Sequence, residues 1–174
     1  MKKGKFKLDI LIKNTLLFIL VSLIIPSVQS QEIIPGSERL NNYINKLVNK
    51  KIAVIANNTS IVRNGELSVH LIDTLLKRDI EIEKIFSPEH GFLGDKDDGE
   101  KIEDGFYKSI EVISLYGKKR KISDDDIEGI DIIIFDIQDV GVRFYTYLST
   151  LHYAMEAASR TNKKIISLDR PNPN

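Results

Sequence analysis

Short β-branched, apolar runs that alternate with stretches of helical spacing restrict this chain to one fold class. The runs are Ile52 to Ala56, Ile80 to Phe86, Glu111 to Leu115, Asp131 to Ile137 and Lys164 to Leu168. Each is of strand length, and Ile52 to Ala56 is continuously apolar, as expected of a strand covered on both faces. Between them lie predicted helices. One starts at a Ser37 cap and carries Leu40, Tyr43, Ile44, Leu47 and Val48. A second spans Ser68 to Arg78, a short third is capped by Ser123, and the longest runs from Phe144 to Thr161. Strand and helix in alternation imply crossover connections, and therefore an α/β fold with a doubly wound, mostly parallel, Rossmann-like sheet. Parallel crossovers bring every strand C-terminus to one edge, where ligands bind in open α/β sheets.

The unusual polar residues fall just beyond these strands. They are Asn57-Asn58, Glu89-His90, Tyr116, Asp136 to Asp139, and Asp169-Arg170. Distant in sequence, they are expected to meet on one rim. A dinucleotide site would need glycines after the first strand, where backbone approaches a pyrophosphate. The chain has Ala56-Asn57-Asn58-Thr59-Ser60 there, with no G-x-G-x-x-G and no P-loop. The sheet is thus expected to carry no dinucleotide site, and no cofactor is predicted. His70, His90 and His152 are the chain's three histidines, and no two share helical spacing. Asp95, Asp97 and Asp98 could hold calcium, but the closing Glu of an EF-hand is missing, so they read as a solvated loop. His152 reads as structural and His70 as the start of a helix; no metal site is predicted.

Carboxyl chemistry fits better. Pro88 holds Ser87 extended, and Gly91 permits a sharp turn beyond His90, so the segment can project Glu89 into a cleft. A partly desolvated carboxyl there can donate a proton near neutral pH. Asp136, Asp139 and Asp169 supply further carboxylates at neighbouring strand ends, and glycosidases use two. Phe144-Tyr145-Thr146-Tyr147 opens the long helix beside Arg143. That helix start suits an anionic ligand group, and aromatic rings suit sugar faces. Phe144 and Tyr147 either meet the ligand or pack in the core; Arg143 either meets the anion or pairs with Asp139.

Composition narrows the setting. Residues 1–30 begin with Lys2, Lys3, Lys5 and Lys7, continue through the apolar run Leu16 to Ile25, and end at Pro26 and Val28-Gln29-Ser30. This is the pattern of a secretory signal, too short for a comfortable membrane span, with cleavage expected after Ser30. An uncleaved membrane anchor is the alternative. The predicted domains are a signal peptide over 1–30 and a Rossmann-like domain over 31–174. With no cysteine, neither disulfides nor lipid attachment at a lipobox is available. Five of the 25 basic residues but one of the 25 acidic ones fall within residues 1–30. The remainder is mildly acidic, which argues against a nucleic-acid partner. The protein is expected to be exported, periplasmic or extracellular, without a stable membrane span.

Several segments carry a family resemblance. They are Phe86-Ser87-Pro88-Glu89-His90-Gly91, Gly94-Asp95, Ser114-Leu115-Tyr116-Gly117, the stretch Phe135 to Tyr147, and Leu168-Asp169-Arg170-Pro171-Asn172-Pro173. In this order and spacing the chain resembles the NamZ/YbbC-like exo-β-N-acetylmuramidase family of glycoside hydrolases, over about Leu40 to the C-terminus. The resemblance implies a Rossmann-like N-terminal domain, a smaller C-terminal domain beyond Asn174, and an active site between them. It implies release of N-acetylmuramic acid from the non-reducing end of peptidoglycan fragments. It marks Glu89 as candidate general acid, with His90 and Asp136 beside it in the catalytic group. Asn57, Tyr116, Asp139, Arg143, Tyr145, Asp169 and Arg170 are the candidate substrate contacts. The family's Thr-Asn-Gln-Thr-Gly is here Ala56-Asn57-Asn58-Thr59-Ser60, which retains Asn57 but alters the residues after it. Two other readings remain: a non-catalytic muropeptide- or sugar-binding module, and a metal-dependent hydrolase using His90, Asp95 and Asp136.

Overall fold

The computed structural model describes residues 12–19, 33–65, 67–94 and 104–172. The chain divides between Glu32 and Ile33. On the N-terminal side, residues 12–19 form a helix, α1. The rest of the expected signal segment, including Ser30, lies outside the described residues, as do Asp95, Asp97 and Asp98. Among the described residues no helix is long and apolar enough to cross a membrane.

Beyond Ile33, six strands form one sheet. They are β1 (Ile52–Ala56), β4 (Ile82–Ser87), β5 (Gly105–Tyr107), β6 (Ile110–Ser114), β7 (Ile132–Asp136) and β8 (Lys164–Ser167), in the order β5-β6-β4-β1-β7-β8. All neighbours pair in parallel except β5, which turns back antiparallel on β6. The five parallel strands follow a doubly wound order: successive strands step outward from β1 on one side, then the chain returns to place β7 on the other. The reversal lies between β1 and β7, which pair in register from Ile52↔Ile132 to Ala56↔Asp136.

Side-chain alternation along the central strands builds two cores. Ile52, Val54 and Ala56 of β1 join Ile132 and Ile134 of β7 on the face that also buries Leu47 and the short helix α3 (Leu71–Leu76). Ala53, Ile55, Ile133 and Phe135 point the other way, toward Ala154, Ala157 and Ala158 of the long helix α4 (Tyr147–Arg160). These alanines let α4 lie close to the sheet. All five residues of β1 are buried, so truncating Ile55 to Ala is expected to cost about 2–5 kcal/mol.

Two segments and one residue depart clearly from the sequence expectation. The predicted helix from Ser37 is instead two 3₁₀ turns, Gly36–Glu38 and Leu40–Asn42, followed by the one-turn helix α2 (Ile44–Leu47). Ser37 is not a cap. It is buried and donates to the Ile61 carbonyl at 3.4 Å, while Arg170 donates to it at 3.0 Å. The helix expected from Ser68 starts only at Leu71, because β2 (Ile61–Asn64) and β3 (Leu67–His70) form a hairpin. His70 caps α3, its Nδ1 accepting from the Ile72 amide at 3.2 Å. His152, expected to be structural, lies exposed on the outer side of α4, 3.4 Å from Glu156.

Candidate active site

The strand C-termini meet on one rim as expected, and the rim has two different halves. At the reversal between β1 and β7 the crevice is filled by the protein itself. The Asn57 carboxamide folds back to accept from the Thr59 amide at 3.0 Å and the Thr59 hydroxyl at 2.6 Å, an Asx turn. Its Nδ2 donates to the Tyr147 hydroxyl at 3.3 Å. Ser60 donates to the Asp136 carbonyl, and Thr59 Oγ1 accepts from the Gln138 amide at 3.1 Å. The His70 Nε2–H donates to the Asn57 carbonyl at 2.9 Å, and burial holds that ring below its ordinary pKa.

Asp136 ends β7 with no exposed surface. Its carboxylate takes a two-pronged contact from Arg170, Nε to Oδ1 at 2.6 Å and Nη2 to Oδ2 at 2.9 Å. Nη2 also donates to the Ile61 carbonyl at 3.0 Å. Burial pushes the Asp136 carboxyl up, and the guanidinium pulls against that shift. Asp136, Arg170 and Asn57 were expected to face substrate. Each is turned inward, with polar atoms hydrogen-bonded inside the fold, so all three help to build the rim.

The other half is open. The Pro88-to-Gly91 turn closes with a Gly91 amide to Pro88 carbonyl bond at 3.2 Å, and His90 sits at φ +72°, left-handed for a non-glycine residue. This turn sets Glu89, half-buried, against the start of α4. The Thr146 hydroxyl donates to Glu89 Oε2 at 2.9 Å, and among the described residues Oε1 has no hydrogen bond. Glu89 lines a cavity of about 310 Å³ together with Tyr116, Arg120, Phe144 and Tyr153. Beside it the His90 and Tyr145 rings lie 6.3 Å apart, and Tyr145 meets Tyr147 edge-on at 5.5 Å. Phe144 is exposed, whereas Tyr147 is buried, so the two aromatics resolve differently. Asp139 is half-buried and Arg143 and Asp169 are exposed on the rim; none of the three lines the cavity.

Several residues of this cavity escaped the sequence reading: Arg120, Thr146, Ser149, Thr150 and Tyr153. Thr146 was passed over as part of an aromatic motif, and Arg120 sits in a basic run that reads as a solvated loop. The signal for Arg120 was its place four residues after Tyr116, in the loop leaving β6. A larger hollow of about 600 Å³ lies at the opposite edge, under the strand N-termini, between Lys46, Lys50, Lys163 and Lys164. Its one carboxylate, Asp131, accepts from the Lys51 amide at 3.0 Å through one oxygen and lies 4.0 Å from Lys50 Nζ through the other, so unlike Glu89 it is paired with a lysine. Among the described residues no cluster of His, Asp and Glu could hold a metal ion.

A doubly wound sheet with a carboxyl-bearing cavity at its carboxyl edge defines the class: an α/β protein with the layout of a ligand-binding or hydrolytic domain. Residues 52–174 match the family described as exo-beta-N-acetylmuramidase NamZ, N-terminal. The chain belongs to that family. It is 40% identical over 138 residues to the peptidoglycan beta-N-acetylmuramidase NamZ of Bacillus subtilis (strain 168), covering 77% of this chain and 32% of that protein. Two crystal structures of DUF1343 family proteins from Bacteroides fragilis NCTC 9343 share the fold. One has a TM-score of 0.66 at 38% identity, covering 82% of this chain and 36% of its own; the other has 0.67 at 37%, covering 80% and 35%. The chain spans about a third of the length of these relatives.

Proposed function

We propose that this chain contributes the acid-bearing half of an exo-acting glycoside hydrolase that releases N-acetylmuramic acid from the non-reducing end of peptidoglycan fragments. The observation that carries the reading is the Glu89 carboxyl: one oxygen is held by Thr146, and the residue lines a cavity of sugar size. In this reading Glu89 protonates the departing glycosidic oxygen, the step a general acid performs in glycoside hydrolysis. Tyr116, His90 and Tyr145 wall the sugar, and Asp139, Arg143 and Asp169 meet the rest of the fragment along the rim. Asp136, Arg170 and Asn57 hold the rim in shape. The second carboxyl is Asp139 or comes from the part of the protein that matches the remaining length of its relatives. The export reading of residues 1–30 would put the enzyme beside the cell wall, in the periplasm or outside the cell.

The test is release of N-acetylmuramic acid from muropeptides, or of nitrophenol from its β-glycoside. It is run on the chain itself and on the chain joined to the remaining portion of the Bacillus subtilis relative. Glu89→Gln is expected to lower turnover about 10²- to 10⁴-fold, with sugar binding retained. An unchanged rate in Glu89→Gln removes Glu89 from the role. The cavity is lined by a single carboxyl, Glu89, which favours one second reading: a muropeptide-binding module. That reading requires binding without turnover in both forms of the protein.

A further inference from the structure

The geometry points to Arg120 as the residue by which this cavity selects a sugar bearing a carboxylate, the group that distinguishes N-acetylmuramic acid from N-acetylglucosamine. The inference rests on the glycosidase reading for its substrate class and adds the source of its selectivity.

The loop leaving β6 carries four consecutive basic residues, Lys118 to Lys121, and the structure uses them differently. Lys119 is committed to Asp126 at 2.6 Å, a carboxylate that also accepts from the amide and hydroxyl of Ser123. Lys121 is committed to α4, 3.3 Å from Glu156 and 4.2 Å from the Tyr153 ring centre. These two contacts fix the loop on either side of Arg120. Arg120 itself lines the cavity with Glu89, and among the described residues it has no ion pair. Arg120 and Glu89 therefore share one cavity without neutralising each other. The cavity offers a proton donor and, separately, a cation with an unused planar fork.

A guanidinium binds a carboxylate through two parallel hydrogen bonds, a geometry that a neutral hydroxyl cannot match. N-acetylmuramic acid carries a lactyl ether at the position where N-acetylglucosamine has a hydroxyl, so the two sugars differ by the one group Arg120 is built to recognise. Arg143, which the sequence singled out for this task, stands on the rim outside the cavity lining.

Chemical-shift titration of the full chain with each free sugar, up to millimolar concentration, tests this. The wild-type chain is expected to bind N-acetylmuramic acid about 10-fold or more tightly than N-acetylglucosamine, the scale of a hydrogen-bonded charge. Arg120→Gln should make the two affinities equal, and Arg120→Lys should keep part of the preference. Lys118→Gln removes the same charge from the same loop outside the cavity, and should leave the preference intact. A preference retained in Arg120→Gln, or lost equally in Lys118→Gln, overturns the assignment to Arg120 while the glycosidase reading stands. Equal binding of both sugars by the wild-type chain, or none at millimolar concentration, overturns the carboxylate-sugar substrate as well; Glu89→Gln turnover then reports on hydrolysis independently.

Discussion

The β1–β7 half of the rim and the Glu89 half are built from the same kinds of residue to opposite ends. In the first, Asn57, Ser60, Asp136 and Arg170 satisfy one another and exclude solvent. In the second, Glu89 keeps an oxygen and Arg120 keeps its guanidinium for something outside the fold. Doubly wound sheets commonly bind ligands at the crevice where strand order reverses. Here that crevice is closed by its own loop, and the open site is displaced toward β4, β6 and the start of α4. A strand-end location thus identifies the rim, and the accounting of polar partners separates its closed half from its open one.

Disrupting the closed half should have the largest effect. Arg170→Met leaves Asp136 buried without its counter-charge, and is expected to cost about 3–5 kcal/mol of unfolding free energy by chemical denaturation. Asp136→Asn added to Arg170→Met should restore much of that loss, since an unpaired charge is what costs most. A loss below about 0.5 kcal/mol in the single variant would show that the pair is not a structural clamp.

The open half should respond in the reverse sense. Thr146→Val removes the hydroxyl that holds Glu89 Oε2 at a solvent-exposed place. Turnover should fall about 3- to 10-fold, while unfolding free energy stays within about 0.5 kcal/mol of wild type. A stability loss as large as that of Arg170→Met would erase the distinction between the halves.

The smallest effect concerns pH. Burial holds the half-buried His70 ring below its ordinary 6.5. Below about pH 6.5 the unfolded chain takes up a proton that the folded chain refuses, so stability falls with acidification and is complete above that pH. His70→Gln should flatten this part of the profile measured by thermal unfolding; an unchanged slope would assign it to other groups.

The sheet was legible because its strands are buried on both faces. Ile52 to Ala56 and Ile132 to Asp136 have no polar face to confuse the pattern. The β2–β3 hairpin was missed because Leu67 to His70 continues into the apolar stripe of α3 and was absorbed into one helix. A clue was present in Asn64-Gly65, a turn dipeptide between Ile61-Val62 and Val69, with Gly65 at φ +63°. For the candidate site, sequence placed Glu89 and Tyr116 on the rim, where both line the cavity, since strand ends and turn residues mark it; His90 and Tyr145 lie beside the cavity without lining it. It could not separate Asp136 from Glu89, because which carboxylate is enclosed depends on Arg170, 34 residues away from Asp136 in the chain. Nor could it tell that Arg120 lines the cavity and Arg143 does not, because that depends on where Lys119 and Lys121 find their partners.

Arg170 also joins residues that are synthesised far apart. Its guanidinium reaches Ser37, 133 positions earlier, and Ile61, 109 positions earlier, as well as Asp136. Until the ribosome has released Arg170, β7 can pair with β1 only by enclosing the Asp136 carboxyl without its guanidinium partner. The central strands therefore gain their full mutual stability at the close of this domain's synthesis, and a nascent chain paused before Arg170 should still be open to proteolysis at the β1–β7 seam.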